Sequence, residues 1–246
     1  MSAGFLAFPA AALIGVGSAL ATGRKLRSLR HRISAHYRDV LASIYIYNEH
    51  RGYTSLDRVL EAVRARCPDD RLFIAAVEKH RADERRHYLM FRRYFEREGH
   101  MPLAVDRTCG HIDHFIRTVF GRSIEELDTR AIVASDALFE KLCRVIMLTE
   151  QRGMRQVEIL LRSRTILRDG KLRAIFRTVE RDEPSHWMPY RDWLVRNGRR
   201  LPRWWERLID IRIHRELMLI RFPALFLNWR MRRLARWPDA GEAAAP

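Results

Sequence analysis

Two stretches of the chain carry the same pattern of residues able to do chemistry. Asp83-Glu84-Arg85-Arg86-His87 and Asp182-Glu183-Pro184-Ser185-His186 both read D-E-x-x-H, and each histidine is followed twelve residues later by a glycine, Gly99 and Gly198. A match of that extent is an internal repeat, not a chance motif. A second matched pair lies upstream. Glu49-His50-Arg51-Gly52 and Glu150-Gln151-Arg152-Gly153 share E-x-R-G and precede the D-E-x-x-H glutamates by 35 and 33 residues. That interval is a long helix, a turn and half of the next helix.

On a helix, a glutamate and a histidine three residues apart share one face, so their side chains can converge on one ion. Four such helices supply four carboxylates and two imidazoles. Carboxylates bridge hard cations and reduce their mutual repulsion, while imidazole nitrogens are terminal donors that leave coordination positions open for oxygen. One Glu from each of two helices with Glu-x-x-His from each of the other two is the donor pattern of a dinuclear iron or manganese centre.

The elements that must position these residues read as helices near 33–65, 70–97, 124–163 and 169–197. Pro68-Asp69-Asp70 reads as a stop and a new start, Ser123 with Glu126 as a capping box, and Asp169-Gly170 as the break before the fourth segment. Gly99 and Gly198 close the second and fourth. The stretch 99–122, with a short helix around His111–Phe120, is a long crossover between two helix pairs. Pro184 and Pro189 each lack a helical donor, so the fourth helix should be kinked or locally wound near the site. Gly52 and Gly153 suit close helix packing or space beside the ions. Tyr45, Tyr53 and Tyr88 are core aromatics, or electron carriers if they approach the site. His80 lies one turn before Glu84, beside the site, and His111 and His114 fall on the surface of the crossover.

Over residues 40–198 the chain resembles the ferritin-like di-iron carboxylate superfamily. That resemblance implies an all-α, ferritin-like four-helix bundle with a long crossover between helices 2 and 3. It implies Glu49, Glu84, His87, Glu150, Glu183 and His186 as ligands of two iron ions, with manganese as the alternative. Asp83 and Asp182 match the carboxylates that accept a hydrogen bond from a ligating histidine and orient its ring. The string Arg81-Ala82-Asp83-Glu84-x-x-His87 is also similar to the R-A-D-E-x-x-H of membrane-bound alternative oxidases, and D-E-x-x-H to acyl-carrier desaturases. In alternative oxidases the string lies on the fourth bundle helix and here on the second, so quinol oxidation is not assigned from it.

The flanks bear on where such chemistry would take place. With 246 residues, 47% hydrophobic and 31% charged, wholesale disorder is excluded. Lys+Arg of 46 against Asp+Glu of 30 leaves +16, which favours an anionic partner, membrane or nucleic acid, although an arginine bias with only four lysines weakens that clue. Cys67, Cys109 and Cys143 lack C-x-x-C spacing, which excludes a zinc ribbon and fits a reducing compartment.

From Ala3 to Gly23 there is no charge, and Arg24, Lys25, Arg27, Arg30 and Arg32 follow. A membrane anchor or interfacial helix with its flank on the cytoplasmic side fits best, ahead of a helix packed on the core; a signal peptide would need a basic n-region. Residues 199–237 hold eleven arginines against Glu206, Asp210 and Glu216, interleaved with Trp204, Trp205, Leu217, Leu219, Ile220, Phe222 and Trp229. That composition suits a headgroup region, or a helix laid across the bundle.

The expected organisation is an apolar segment at 1–32, a di-metal bundle at 33–198, a basic amphipathic segment at 199–237 and a disordered tail at 238–246. The function expected is an oxygen-dependent di-iron hydroxylase, desaturase or oxidase acting on a lipid or quinone-like substrate. It would sit at the cytoplasmic face of the membrane, peripheral or N-terminally anchored, and draw on an external electron donor. Its partners would also include the membrane surface and a second copy of the chain, with nucleic acid ranked below them. A cytoplasmic tRNA-modifying hydroxylase and an iron-binding protein or scaffold without turnover are the alternatives. No G-x-G-x-x-G, P-loop or G-x-S-x-G motif supports nucleotide-dependent or serine nucleophile chemistry.

Overall fold

Apolar residues at helical spacing fold into helices along nearly the whole chain. The structure is a computed structural model and describes residues 8–105, 111–123 and 126–240, with side chains in α1 described from residue 28 and in α3 from residue 113. The elements are α1 (Phe8–Arg66), α2 (Arg71–Glu98), α3 (His111–Phe120), α4 (Thr129–Ala134), α5 (Asp136–Leu160), α6 (Arg164–Arg168), α7 (Gly170–Asp182), α8 (Pro184–Arg196) and α9 (Trp204–Glu216). A π-helical turn (Leu217–Arg221) and α10 (Phe222–Leu227) follow. The fold is all-α: among the described residues there is no strand, only an isolated bridge between Leu103 and Arg233.

The repeat extends to the backbone devices at both ends. Asp70 opens α2 by accepting the Phe73 N–H at 3.0 Å, and Asp169 opens α7 by accepting the Leu172 N–H at 3.0 Å. Gly99 (φ 75°) closes α2, with the Gly99 and His100 N–H groups returning to the Glu96 and Phe95 carbonyls. Gly198 (φ 62°) closes α8 in the same way, with Gly198 and Arg199 returning to Val195 and Leu194. Both glycines occupy the left-handed region that a side chain disfavours.

Two expected helices are each divided. The segment 124–163 becomes α4 and α5, because Asp128 accepts the Arg130 N–H and Ser135 the Leu138 N–H, so each starts a helix of its own. Glu126 does accept the Ser123 N–H at 2.9 Å, but the first described helix after it begins at Thr129. The fourth helix breaks at Glu183, where Pro184 offers no N–H to continue α7 and instead occupies the first turn of α8. The Ser185 hydroxyl donates to the Asp182 carbonyl at 2.7 Å and satisfies part of the break.

Helices α1 and α2 run antiparallel, as the pairs Arg64–Glu78, Asp57–Arg81 and Glu49–His87 show. Helix α5 runs antiparallel to α8 and α7, with Phe139 on Trp193 and Val157 in one cluster with Phe176. Two apolar slabs result. One contains Tyr45, Tyr53, Tyr88, Phe91, Val157, Phe176 and Val179, and the other Leu56, Val63, Phe73, Val77, Phe139, Met147, Tyr190 and Trp193. Along α2, α5 and α7–α8, the polar motif residues fall between the stretches that supply these slabs, while on α1 Glu49 falls between Ile46 and Tyr53 of the first.

The C-terminal elements pack across this assembly. Ile213 of α9 is buried with Phe115, Val119, Val145 and Leu148, and Leu225 of α10 with Val40, Ile44 and Leu103. Asp239, expected in the tail, accepts from the Tyr88 hydroxyl at 2.6 Å and from Arg92 at 2.7 Å. The apolar segment expected at 3–23 falls on residues 1–7, outside the described residues, and on the part of α1 whose side chains are not described. Residues 241–246 also lie outside. Among the described residues no helix is long and apolar enough to cross a membrane.

Candidate metal centre

The structure brings Glu49, Glu84, His87, Glu150, Glu183 and His186 together between the two slabs. Donor atoms of Glu49, Glu84 and His87 lie within 4.8 Å of one another, and so do those of His80, Glu84, Glu150 and His186. Ligands binding one cation at about 2.0–2.3 Å are separated by at most about twice that distance, so each group is close to the dimensions of one ion. Glu84 belongs to both groups and is placed to bridge them. Glu183 stands beside them, its Oε2 3.9 Å from His186 Nδ1 and without a hydrogen bond.

Each imidazole is oriented by the aspartate of the other repeat. His87 Nε2 lies 3.1 Å from Asp182 Oδ2 while its Nδ1 is 3.2 Å from Glu49 Oε2. His186 Nε2 lies 3.4 Å from Asp83 Oδ2 while its Nδ1 is 3.3 Å from Glu84 Oε1. The crossed arrangement follows from α2 running antiparallel to α7–α8, which sets each D-E-x-x-H against the other. Outside the aspartates sits a cationic rim. Arg86 Nη2 reaches Asp182 at 2.6 Å and Asp83 at 2.9 Å, and Lys79 bonds Asp83 and donates to Ser185 at 3.0 Å.

The E-x-R-G glycines have a steric reason. A Cβ on Gly52 would lie 2.1 Å from Glu84 Oε2, and one on Gly153 would lie 3.2 Å from Glu183 Oε1. Each glycine therefore makes room for the D-E-x-x-H glutamate packed against it. The arginines of the same motifs point away from the site: Arg51 pairs with Asp113 of α3 and Arg152 with Asp210 of α9.

Electrostatics show what the cluster lacks. Burial and the neighbouring Glu84 push Glu49 up to about 7, and burial with Glu84 pushes Glu150 up to about 8. Burial and Glu150 raise Glu183 further above the carboxylate range. Burial opposes charge on His87 and His186, but nearby carboxylates, Glu49 for the first and Asp83 and Glu84 for the second, raise both. Burial also acts to raise Asp83 and Asp182, yet the adjacent His186 and a bond from Lys79 for the first, and bonds to His87 and Arg86 for the second, hold them below the usual range. Buried carboxylates that resist ionisation beside one another are stabilised as anions by a cation placed among them.

The donor set fits a transition metal. Oxygen-rich carboxylates with imidazole nitrogens suit iron or manganese. Among buried polar atoms without a hydrogen bond are both ring nitrogens of His186, His80 Nε2 and Glu183 Oε2, all at this cluster. Unmet groups concentrated at one place are the mark of a missing partner. The buried His and Glu side chains can hold a metal ion.

His80, expected beside the site, belongs to one of its two donor groups. Its Nε2 lies 3.7 Å from Glu150 Oε1 and 3.9 Å from Glu84 Oε1. The available signal was its position one turn before Glu84, on the same face. Tyr45, Tyr53 and Tyr88 all lie in one apolar slab, and His114 is exposed, while His111 carries no described side chain. No protein-family model, curated protein or solved structure matches this chain.

Proposed function

We propose that the chain is a ferritin-like di-iron carboxylate protein whose four-helix bundle is α1, α2, α5 and the interrupted α7–α8. In this reading it is an oxygen-dependent oxidoreductase, a hydroxylase, desaturase or oxidase, acting on a lipophilic substrate at a membrane surface. The observation that supports it most is the pair of Glu/His groups that share Glu84 and, His80 apart, derive from matched repeats. Glu49, Glu84, His87, Glu150, Glu183 and His186 would hold two iron ions, and manganese satisfies the same donors. Such a pair, when bound, supplies oxygen chemistry that amino-acid side chains lack, with electrons from an external donor.

The remaining work belongs to the chain. Asp83 and Asp182 fix the two rings, Arg86 and Lys79 hold those aspartates ionised, and the apolar slabs on either side keep bulk water from the carboxylates. A lipophilic substrate is supported by the C-terminal surface. Met218, Leu219, Ile220, Leu227 and Trp229 are exposed there, flanked by exposed Arg212, Arg215, Arg230 and Arg232. Apolar side chains with an arginine rim suit an anionic lipid interface, and in this reading the protein would sit peripherally on the cytoplasmic face.

Metal content per chain, measured beside a Glu84→Ala, Glu183→Ala double variant, tests the centre. About two iron ions per chain in the parent, lost in the variant, is the expected result. Negligible metal in both after anaerobic iron reconstitution overturns it. Oxygen consumption with a chemical reductant then tests turnover, and its absence from iron-loaded protein would leave an iron-binding protein. Co-sedimentation with anionic vesicles tests the membrane assignment; a vesicle-indifferent protein that binds RNA with steep salt dependence would favour the tRNA hydroxylase instead.

A further inference from the structure

We infer that His80 is a further metal ligand, so that the two metal positions are unequal: one takes a single imidazole, from His87, and the other takes two, from His80 and His186. This rests on the dinuclear reading above and adds to it a residue that the repeat does not supply.

The geometry of His80 is that of a ligand held from behind. The side chain is 1% exposed and its ring stacks on that of His186, with centroids 4.2 Å apart and planes 21° apart. Both rings face the same two carboxylates, Glu84 and Glu150. On the far side His80 Nδ1 is 3.3 Å from the Tyr190 hydroxyl. A histidine whose one nitrogen is engaged by a fixed polar group presents the other in a set direction.

Neither tautomer satisfies this ring. If Nδ1–H donates to Tyr190, the Nε2 lone pair faces carboxyl oxygens across 3.7 and 3.9 Å, too far for a hydrogen bond. If the Tyr190 hydroxyl donates to Nδ1, the Nε2–H has no acceptor within hydrogen-bonding distance. A cation between Nε2, Glu84 and Glu150 resolves the first arrangement and uses the lone pair.

The other half of the molecule shows the same corner without a ligand. The repeat aligns Asp83 with Asp182, and on that alignment His80 matches Val179 and Tyr190 matches Phe91. Val179 and Phe91 are both buried in one apolar slab. The imidazole and the hydroxyl that holds it are thus absent together on one side and present together on the other. Replacement of a complementary pair by an apolar pair is what a paired function predicts; a histidine that merely filled space would not require the tyrosine.

The test uses the full chain titrated anaerobically with Fe(II). The parent should take up about two ions, and His80→Val should weaken one of them by at least about tenfold while leaving the other unchanged. The double variant His80→Val, Tyr190→Phe copies packing the protein already uses elsewhere, so it guards against loss of folding, which circular dichroism checks. Pulsed EPR of the mixed-valence form labelled with ¹⁵N-histidine separates a ligand from a packing residue. Three coupled histidines in the parent, falling to two in the variant, support the inference; two in the parent overturn it whatever the variants do. Two Fe(II) sites with unchanged affinity in His80→Val overturn it and leave the dinuclear centre intact. A parent chain that takes up no metal overturns the centre and this inference with it.

Discussion

The α1–α2 half and the α5–α8 half solve one problem with one plan and differ where they meet the rest of the chain. In both, a helix glutamate, a glycine three residues on and a D-E-x-x-H facing it build half of a buried cluster. At matched positions one turn and a half before those glutamates stand Ser43 and Arg144, both buried. Ser43 accepts the Leu103 N–H at 2.9 Å, whereas Arg144 donates through Nε to Glu206 of α9 at 2.9 Å. The first half fastens a loop with a neutral hydrogen bond; the second fastens a helix with an ion pair whose partners are 2% and 0% exposed. Apart from His80 and Tyr190, symmetry is kept where residues face the candidate metal centre and abandoned where they face an appendage.

That difference gives the largest expected effect. Glu206→Ala removes the closer partner of the buried Arg144 guanidinium, leaving it only the longer contact to Glu140, and removes the acceptor of the Arg203 N–H at the start of α9, so a loss of about 3–5 kcal/mol is expected. Ser43→Ala leaves one buried N–H unmet and should cost about 1–3 kcal/mol. Urea denaturation of both variants checks the order. Equal losses would mean that the two halves hold their appendages equally well and that the ion pair adds nothing.

The two glycines sharpen the comparison inside the site. Gly52→Ala places a Cβ 2.1 Å from Glu84 Oε2, so the glutamate shared by both donor groups must move. Gly153→Ala meets Glu183 at 3.2 Å, which a shift of a few tenths of an ångström relieves. Overpacking of about 1–3 kcal/mol is expected at Gly52 and less at Gly153, with metal content falling in the first variant and staying near the parent in the second. Thermal melts and metal analysis measure both, and an equal loss of metal would deny Glu84 its central place.

Proton linkage should be governed by the same cluster. Glu49 and Glu150, raised to about 7 and about 8, hold protons in the folded state that they release when unfolded above 4.5. Their stabilisation is complete below the unfolded value and lost as pH rises through 7 and 8; Glu183, His87 and His186, also raised, act in the same direction. His80, lowered by burial and by His186, opposes them below 6.5, while Asp83 and Asp182, with lowered values, act only in more acidic solution. The metal-free protein should therefore lose a few degrees of Tm, roughly 2–4 °C per kcal/mol, between about pH 5 and 8. Bound metal replaces those protons and should flatten the curve. A metal-free Tm that rises over this interval would contradict the burial of the carboxylates.

The sequence made the repeat legible because helix period and metal geometry both restrict spacing. Glu84 and His87 had to share a face, and Pro184 had to interrupt whatever helix reached it. The short helix at His111–Phe120 was readable from its own periodicity. What was not legible depended on contacts across helices. The crossing of Asp83 to His186 and Asp182 to His87 needs the antiparallel packing of α2 on α7–α8, which no local pattern encodes. Spacing put His80 beside the site, one turn before Glu84, but could not supply Tyr190, 110 residues away, which stands behind its ring. The division at Ser135 was hidden because apolar spacing continues across it, and only the cap of α5 reveals it.

The smallest expected effect concerns the rim, where the halves differ most in exposed charge. Arg86 bridges Asp83 and Asp182, and the matched position in the second repeat is Ser185, to which Lys79 donates. Arg86 is 47% exposed, so solvent screens much of its attraction, and Arg86→Ser should cost less than about 1 kcal/mol at low salt and nothing measurable at high salt. Its consequence for metal binding should be larger than that for stability. Without Arg86 the proton shared between His87 and Asp182 is less firmly held on the ring, so the ring is less firmly aimed, and metal affinity should fall a few-fold at the His87 position. Competition with a chelator at two ionic strengths measures this. A loss that persists undiminished in high salt would assign Arg86 to packing and leave the aspartates to orient both rings unaided.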